Sequence, residues 1–342
     1  MKSLRFLFSF LIGIICGYNN GFSGIKNDAP ALTSMTYIPY CSENKKIDCF
    51  ATMAGGEEIY FRVLDTCKHL TTVECLWAPT VFTHIEISNK QAIVFGTSEG
   101  SIGVKYIGEK PIAIVALQEK TGVCALEKTG KQLLAGLSDG SLWDIDVVAS
   151  KAKKLETGSF GEISLLRYVG NNTLLVVFSK GTVRTFDLEK NTWGKFTSFE
   201  NSVIVGVEAF SENTALICLK SGYIMSWNFK KNAIEPVNHG AWPITSFFKW
   251  SEDLFAVGCV NGSIYFYKVG SKAIFELSKQ HEVSIISLFR YNDKLVSASH
   301  DGTIKFWNVK KNKCKKTVLC LYDCLKIIEN KKDNNEIFDF EV

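Results

Sequence analysis

A pattern of 15 residues returns along this chain at near-constant spacing. A chain made of such copies has to stack them, because one copy alone cannot bury its apolar face. The copies are IVFGTSEGSIGVKYI (93–107), LLAGLSDGSLWDIDV (133–147), LLVVFSKGTVRTFDL (174–188), ALICLKSGYIMSWNF (215–229), FAVGCVNGSIYFYKV (255–269) and LVSASHDGTIKFWNV (295–309). Their starts are separated by 40, 41, 41, 40 and 40 residues. A looser copy, FATMAGGEEIYFRVL (50–64), stands 43 residues before the first and keeps the apolar positions with Ile59 and Phe61.

Each copy holds an apolar run of strand length, a two-residue turn ending in glycine, and then alternating apolar residues, which spells a β-hairpin. The turn glycines are Gly100, Gly140, Gly181, Gly222, Gly262 and Gly302. Glycine is wanted there because a tight turn needs a positive φ that a Cβ makes costly. A further strand-like segment precedes several copies (163–168, 244–250, 286–291), and an apolar stretch follows the hairpins, as in 111–117 and 317–321. Four strands in a unit of about 40 residues, repeated seven times, predict an all-β fold: a seven-bladed β-propeller of four antiparallel strands per blade over residues 31–322.

Composition supports a folded domain and excludes several function classes. The chain of 342 residues is 46% hydrophobic and 22% charged with only 6 Pro, which excludes a disordered or collagen-like chain. A net charge of +4 over that length does not argue for a nucleic-acid binder. The 11 Cys lack paired CxxC spacing, so no metal site is expected and ordinary thiols or one disulfide are favoured. No phosphate loop occurs, and no cofactor is expected. Two GxSxG strings, Gly96–Gly100 and Gly136–Gly140, imitate a hydrolase nucleophile elbow. Both fall in the hairpin turn of the repeat, where a second strand follows instead of the helix an elbow requires. The lysines 310, 311, 313, 315 and 316, and their counterparts 151, 153 and 154, read as solvated turns.

The last copy carries a resemblance to the WD40-repeat family. That resemblance implies a hydrogen-bonded tetrad of a His before the first strand, a Ser or Thr in the second, an Asp in the turn and a Trp in the third. His281, Ser297, Asp301 and Trp307 stand at those places. Elsewhere the pattern decays to Asp139 and Asp187 singly, Trp227-Asn228 in place of Trp-Asp, and Tyr106 and Tyr267 near the place of the Trp. His281, Ser297 and Asp301 are also the residue types of a catalytic triad, but a fully paired buried network beside Trp307 stiffens a sheet instead of attacking a substrate.

Both ends of the chain carry their own signals. Lys2 and Arg5 precede an apolar run from Phe6 to Cys16, and a polar exit follows, so residues 1–24 read as a secretory signal peptide or membrane anchor. The alternative is a strand that closes the ring. Asn171-Asn172-Thr173 and Asn261-Gly262-Ser263 are formal glycosylation sequons, with meaning only in the secretory pathway. The outer strand of the last blade comes either from before Ala31 or from 315–322. Residues 323–342 are expected to form a polar, mobile tail, with Lys331-Lys332 followed by Asp333, Glu336, Asp339 and Glu341.

The fold and the missing catalytic constellation favour a non-enzymatic scaffold or adaptor that docks a protein or peptide partner, within a multiprotein complex, on one propeller face. The face of the hairpin turns is the expected site, with Trp77, Lys220, Trp242 and His300 as candidates. The alternative is a secretory-pathway or secreted propeller binding a glycan, a coat component or a surface receptor. Residues 1–21 favour the secretory pathway, against a cytoplasmic or nuclear location. A membrane is a partner only if the apolar run is retained.

Overall fold

The computed structural model describes residues 34–319 apart from short stretches between strands, such as 54–57, 108–111 and 278–280; the proposed signal segment and the tail lie outside the described residues. Among the described residues twenty-eight strands form seven antiparallel sheets of four, and each sheet takes four consecutive strands. The blades span 34–74, 79–116, 123–157, 163–198, 204–239, 244–276 and 285–319. The expected seven blades of four strands are therefore present.

Within each blade the first strand lies innermost and touches the first strands of its neighbours. The ring closes where Phe50 and Leu64 of blade 1 pack with Val296, Ile304 and Phe306 of blade 7. Tyr291 of blade 7 adds a hydrogen bond to the Asp48 carboxylate of blade 1, at 2.6 Å. The outer strand of blade 7 is Lys313–Leu319, paired with Thr303–Asn308.

The second strands are buried along nearly their whole length, as in Leu133–Leu137, so each sheet has two buried faces, and the core lies between blades. Seven buried clusters result, one at each of the seven interfaces. Close approach is built in by small residues on the second strand. A Cβ added to Gly136 would sit 2.4 Å from Ile163 at the start of the next blade, and one on Gly96 would sit 2.5 Å from Val123. Overpacking of that kind costs about 1–3 kcal/mol.

The hairpin connections differ from expectation in length. Three residues, not two, join the second and third strands in blades 2 to 5 and 7, as between Lys90–Thr97 and Ser101–Tyr106, and four join them in blade 6. The glycine N–H donates to the carbonyl three residues back, in Gly140 to Leu137 and Gly302 to Ser299 among others, both at 3.1 Å. The glycine then sits in the left-handed region after the turn, with φ between +74° at Gly100 and +103° at Gly222. A three-residue loop with a left-handed last residue follows the twist of the strands as well as a two-residue loop does.

Candidate docking face

Each of the six glycine turns is tied to the connection that enters its own blade. The residue two before the glycine donates its backbone N–H to a carbonyl just ahead of the first strand: Ser98 to Ala78, Ser138 to Gly122, Ser179 to Glu162, Lys220 to Val203, Val260 to Pro243 and His300 to Ser284. Turns and interblade connections thus gather on one face, called here the turn face. The loops between first and second strands lie at the opposite end.

In blade 7 this face rests on a closed polar network. Trp307 Nε1–H donates to Ser297 Oγ at 2.8 Å, and Ser297 Oγ lies 2.7 Å from His281 Nε2. His281 Nδ1 lies 2.9 Å from Asp301 Oδ2, and Thr303 Oγ1 donates to Asp301 Oδ1 at 2.6 Å. Only one arrangement of hydrogens satisfies the chain: Trp307 to Ser297, Ser297 to the neutral imidazole, and imidazole Nδ1–H to the carboxylate. Burial pushes the His281 pKa below its usual value, against the pull of Asp301. Burial would push the Asp301 carboxyl up, but the hydrogen bonds from His281 and Thr303 outweigh it and hold the group at about 2. Ser297 is fully buried with its hydroxyl engaged twice, so it offers no accessible nucleophile.

The four residues expected on the partner face do not form one group. Lys220 and Trp242 come together: the Lys220 carbonyl accepts from Ile244 N at 3.0 Å, and a Cβ on Gly222 would lie 3.2 Å from the Trp242 carbonyl. Trp77 stands between blades 1 and 2, and His300 in the turn of blade 7. Trp77 and Trp242 are 37% and 45% exposed, large values for tryptophan. His300 is half-buried with no hydrogen-bond partner for Nδ1 among the described residues, and burial lowers its pKa. It faces outward less than its place in the turn implies.

Two exposed residues on this face were not singled out from the sequence, Val203 at 55% and Tyr223 at 45%. Tyr223 stacks on the His239 ring, with centroids 4.1 Å apart. The repeat held a signal for Tyr223. The residue after the turn glycine is Ser101, Ser141, Thr182, Ser263 or Thr303 in the other blades, and only here a large aromatic.

At the opposite end the tips of the inner strands carry charges that link blades. Arg167 reaches Glu127 of blade 3 at 3.7 Å and Glu208 of blade 5 at 3.2 Å. Lys249 Nζ donates to the Ala209 carbonyl at 2.8 Å, and Arg290 to the Trp250 carbonyl at 3.4 Å. Burial raises the pKa of Glu127 and of Glu208, and Arg167 opposes it. This belt repeats at the blade spacing but was missed because its residues, Glu127, Arg167, Glu208, Lys249 and Arg290, differ in sign and type. A groove of about 330 Å³ between blades 2 and 3 opens at the same end, lined by Ile85, Lys128, Leu133, Asp144, Val147 and Val148. Asp144 already accepts from Gln132 Nε2 and faces Lys153 across the strands.

Among the described residues the motifs that imitate catalytic ones take other geometry. Both GxSxG strings run from strand to turn to strand, without the helix an elbow needs. Among the described residues no group of three or more His, Cys, Asp or Glu could hold a metal ion. Cys124, Cys218, Cys259 and Cys314 are free thiols, and burial pushes Cys259 up to about 12.

A family model for the WD domain, G-beta repeat, matches residues 272–308, which include all four members of the blade 7 network. Residues 272–308 are a WD40 repeat set in a seven-bladed propeller. Among solved structures the ring is similar to the computationally designed Ika8 protein, with TM-score 0.66 and 20% identity over 84% of this chain and 86% of that one. It is also similar to the RRP9 WD40 repeats, with TM-score 0.57 and 14% identity over 67% of this chain and 77% of that one. No curated protein matches the sequence. WD40 propellers commonly serve as scaffolds for protein partners in complexes and are typically not enzymes.

Proposed function

We propose that this WD40 propeller is a non-enzymatic scaffold or adaptor that docks a peptide or protein partner on its turn face, with Trp242 and Lys220 at the centre of the contact and Trp77 and His300 further round the ring. The supporting observation is the exposure of Trp242 beside Lys220, on connections fixed by backbone hydrogen bonds. An aromatic held out of the core on a rigid loop loses little entropy when covered, and such residues carry much of the energy of protein interfaces.

The test places a photoreactive phenylalanine analogue at position 242 of the full chain in its own cells, with position 153 on the outer strand of blade 3 as control. A discrete protein adduct at 242 and none at 153 is expected. Trp242→Ala should release the same partner while the melting temperature stays within about 2 °C, since an exposed side chain contributes little to stability. Equal adducts at both positions, or unfolding of the Trp242→Ala chain, would overturn the proposal.

A further inference from the structure

Val203, Tyr223 and Trp242 are three large side chains left exposed in one arc of the turn face, over blades 4 to 6. Backbone contacts make the arc continuous. A Cβ on Gly181 would lie 2.3 Å from the Phe199 carbonyl and 2.7 Å from that of Ser202. Val203 follows and accepts from Lys220 N, and Lys220 in turn accepts from Ile244 N beside Trp242. Two cations border the arc, Lys180 and Lys220, and neither ammonium meets a carboxylate among the described residues. Lys180 stands where the blade 7 turn has Asp301. Two carboxylates lie near, Glu162 on the blade 3 side of Lys180 and Glu200 in the loop before Val203, while His239 backs Tyr223. The turn 220–223 and the loop 240–242 hold no acidic side chain of their own.

The chain itself contains a segment of matching chemistry. Residues 336–342 read Glu-Ile-Phe-Asp-Phe-Glu-Val. In extended form successive side chains alternate, so Phe338 and Phe340 share one face while Asp339 and Glu341 share the other. The chain leaves the ring on the correct side, because Leu319 is paired with Thr303, next to the turn glycine Gly302. Residues 320–335 then supply a tether of up to about 50 Å, while a compact body of this size has a radius of gyration of about 19 Å.

We infer that residues 336–342 occupy the Val203–Tyr223–Trp242 arc of their own ring, with Phe338 and Phe340 against the aromatic side chains and the Glu336 carboxylate, which shares their face, toward Lys220 and Lys180. The segment then competes with any partner for that surface. The inference rests on the turn face being the docking face. Tethering supplies an effective concentration near the millimolar range, so even a weak segment excludes competitors.

The test uses a fluorescent synthetic peptide of residues 334–342 and two full-length proteins, the unaltered chain and the Phe338→Ala/Phe340→Ala variant. The peptide is expected to bind the variant at least about tenfold more tightly than the unaltered chain, whose own segment competes. Adding Trp242→Ala to that variant should weaken peptide binding by about 30-fold, and Lys220→Glu should remove most of its salt dependence. Equal binding to both proteins, no binding to either, or binding that survives Trp242→Ala overturns the inference. Dimers of the unaltered chain that vanish with Phe338→Ala/Phe340→Ala also overturn it, because the segment then belongs on a second copy. A partner adduct at position 242 together with failed peptide binding rejects this occupant and leaves the docking face standing; loss of both rejects both.

Discussion

In blade 7 the register positions of the polar network hold His281, Ser297, Asp301 and Trp307, and in blade 4 the same positions hold Phe160, Val176, Lys180 and Phe186. Blade 7 satisfies its buried groups by a directed chain of hydrogen bonds. At those four positions blade 4 has no buried polar group to satisfy. Phe160 packs on Phe178 with ring centroids 5.5 Å apart, Trp193 meets Phe186 edge-on at 4.9 Å, and the Arg184 guanidinium lies over both Phe160 and Trp193. Both blades form the same four-stranded sheet. A polar network is therefore one way to fill these positions, not a condition of the fold, but it has to be kept or replaced as a set. Removing one member of a buried network strands its partners, whereas replacing all of them by apolar groups is nearly neutral.

The sharpest break of that comparison is Asp301→Ala, which leaves His281 Nδ1–H and the Thr303 and Glu282 N–H groups without their acceptor. A loss of about 3 kcal/mol is expected by urea denaturation. Lys180→Ala, at the same position in blade 4, should change stability by less than about 0.5 kcal/mol. Similar losses for the two would mean that the network is not what holds blade 7.

Transplanting the blade 4 set sharpens the same point. The quadruple change His281→Phe, Ser297→Val, Asp301→Lys and Trp307→Phe should cost about 2 kcal/mol, less than Asp301→Ala alone and far less than the sum of its four single changes. Calorimetry on the five variants checks this, and additive losses would contradict it.

The network also makes blade 7 sensitive to acid. His281 folds with a pKa below 6.5, so under mildly acidic conditions the unfolded chain binds the extra proton and stability falls as the pH drops below about 6.5. Asp301 adds a second loss from its unfolded value of 3.8 down to about 2, with the same sign. His84 and His300 fall in the same direction as His281. The difference between the wild-type chain and the quadruple variant isolates blade 7, and it should narrow by about 1 kcal/mol between pH 7 and pH 5. An unchanged difference would show that His281 is not neutral in the fold.

The repeat spacing made the ring legible in the sequence, because apolar alternation and a turn glycine recur whatever else decays. The blade 7 network was legible for the same reason, as four residue types at fixed offsets in one copy. Blade 4 was not, since Phe160 and Val176 read as ordinary core residues until their register with His281 and Ser297 is known. The turn-face arc was half legible. Trp242 and Lys220 stand out by size and charge, whereas Tyr223 stands out only against the small hydroxyl residues of its column, and Val203 is ordinary until its exposure is seen. Residue type was a poor guide to His300, whose ring is half-buried by contacts made only in the ring.

Blade 4 does carry a polar link, but between blades where blade 7 has one within a blade, and this predicts the opposite response to acid. Arg167 on its inner strand joins Glu127 and Glu208, which are 14% and 16% exposed, while Arg167 itself is 36% exposed. Solvent screens the guanidinium, so Arg167→Met should cost only about 1–2 kcal/mol at pH 7. Without Arg167 the two buried carboxyls, already raised by burial, rise further. A carboxyl with a folded pKa above its unfolded value takes up its proton in the folded state first, so folding of the variant is favoured as the pH falls. The deficit of Arg167→Met against the wild type should therefore shrink from pH 7 to pH 5, over the range in which the blade 7 network is weakening. Urea midpoints of both proteins at the two pH values measure it. A deficit that grows toward pH 5 would mean that the carboxyls remain ionised without Arg167, held by Lys249 and the Tyr168 N–H instead.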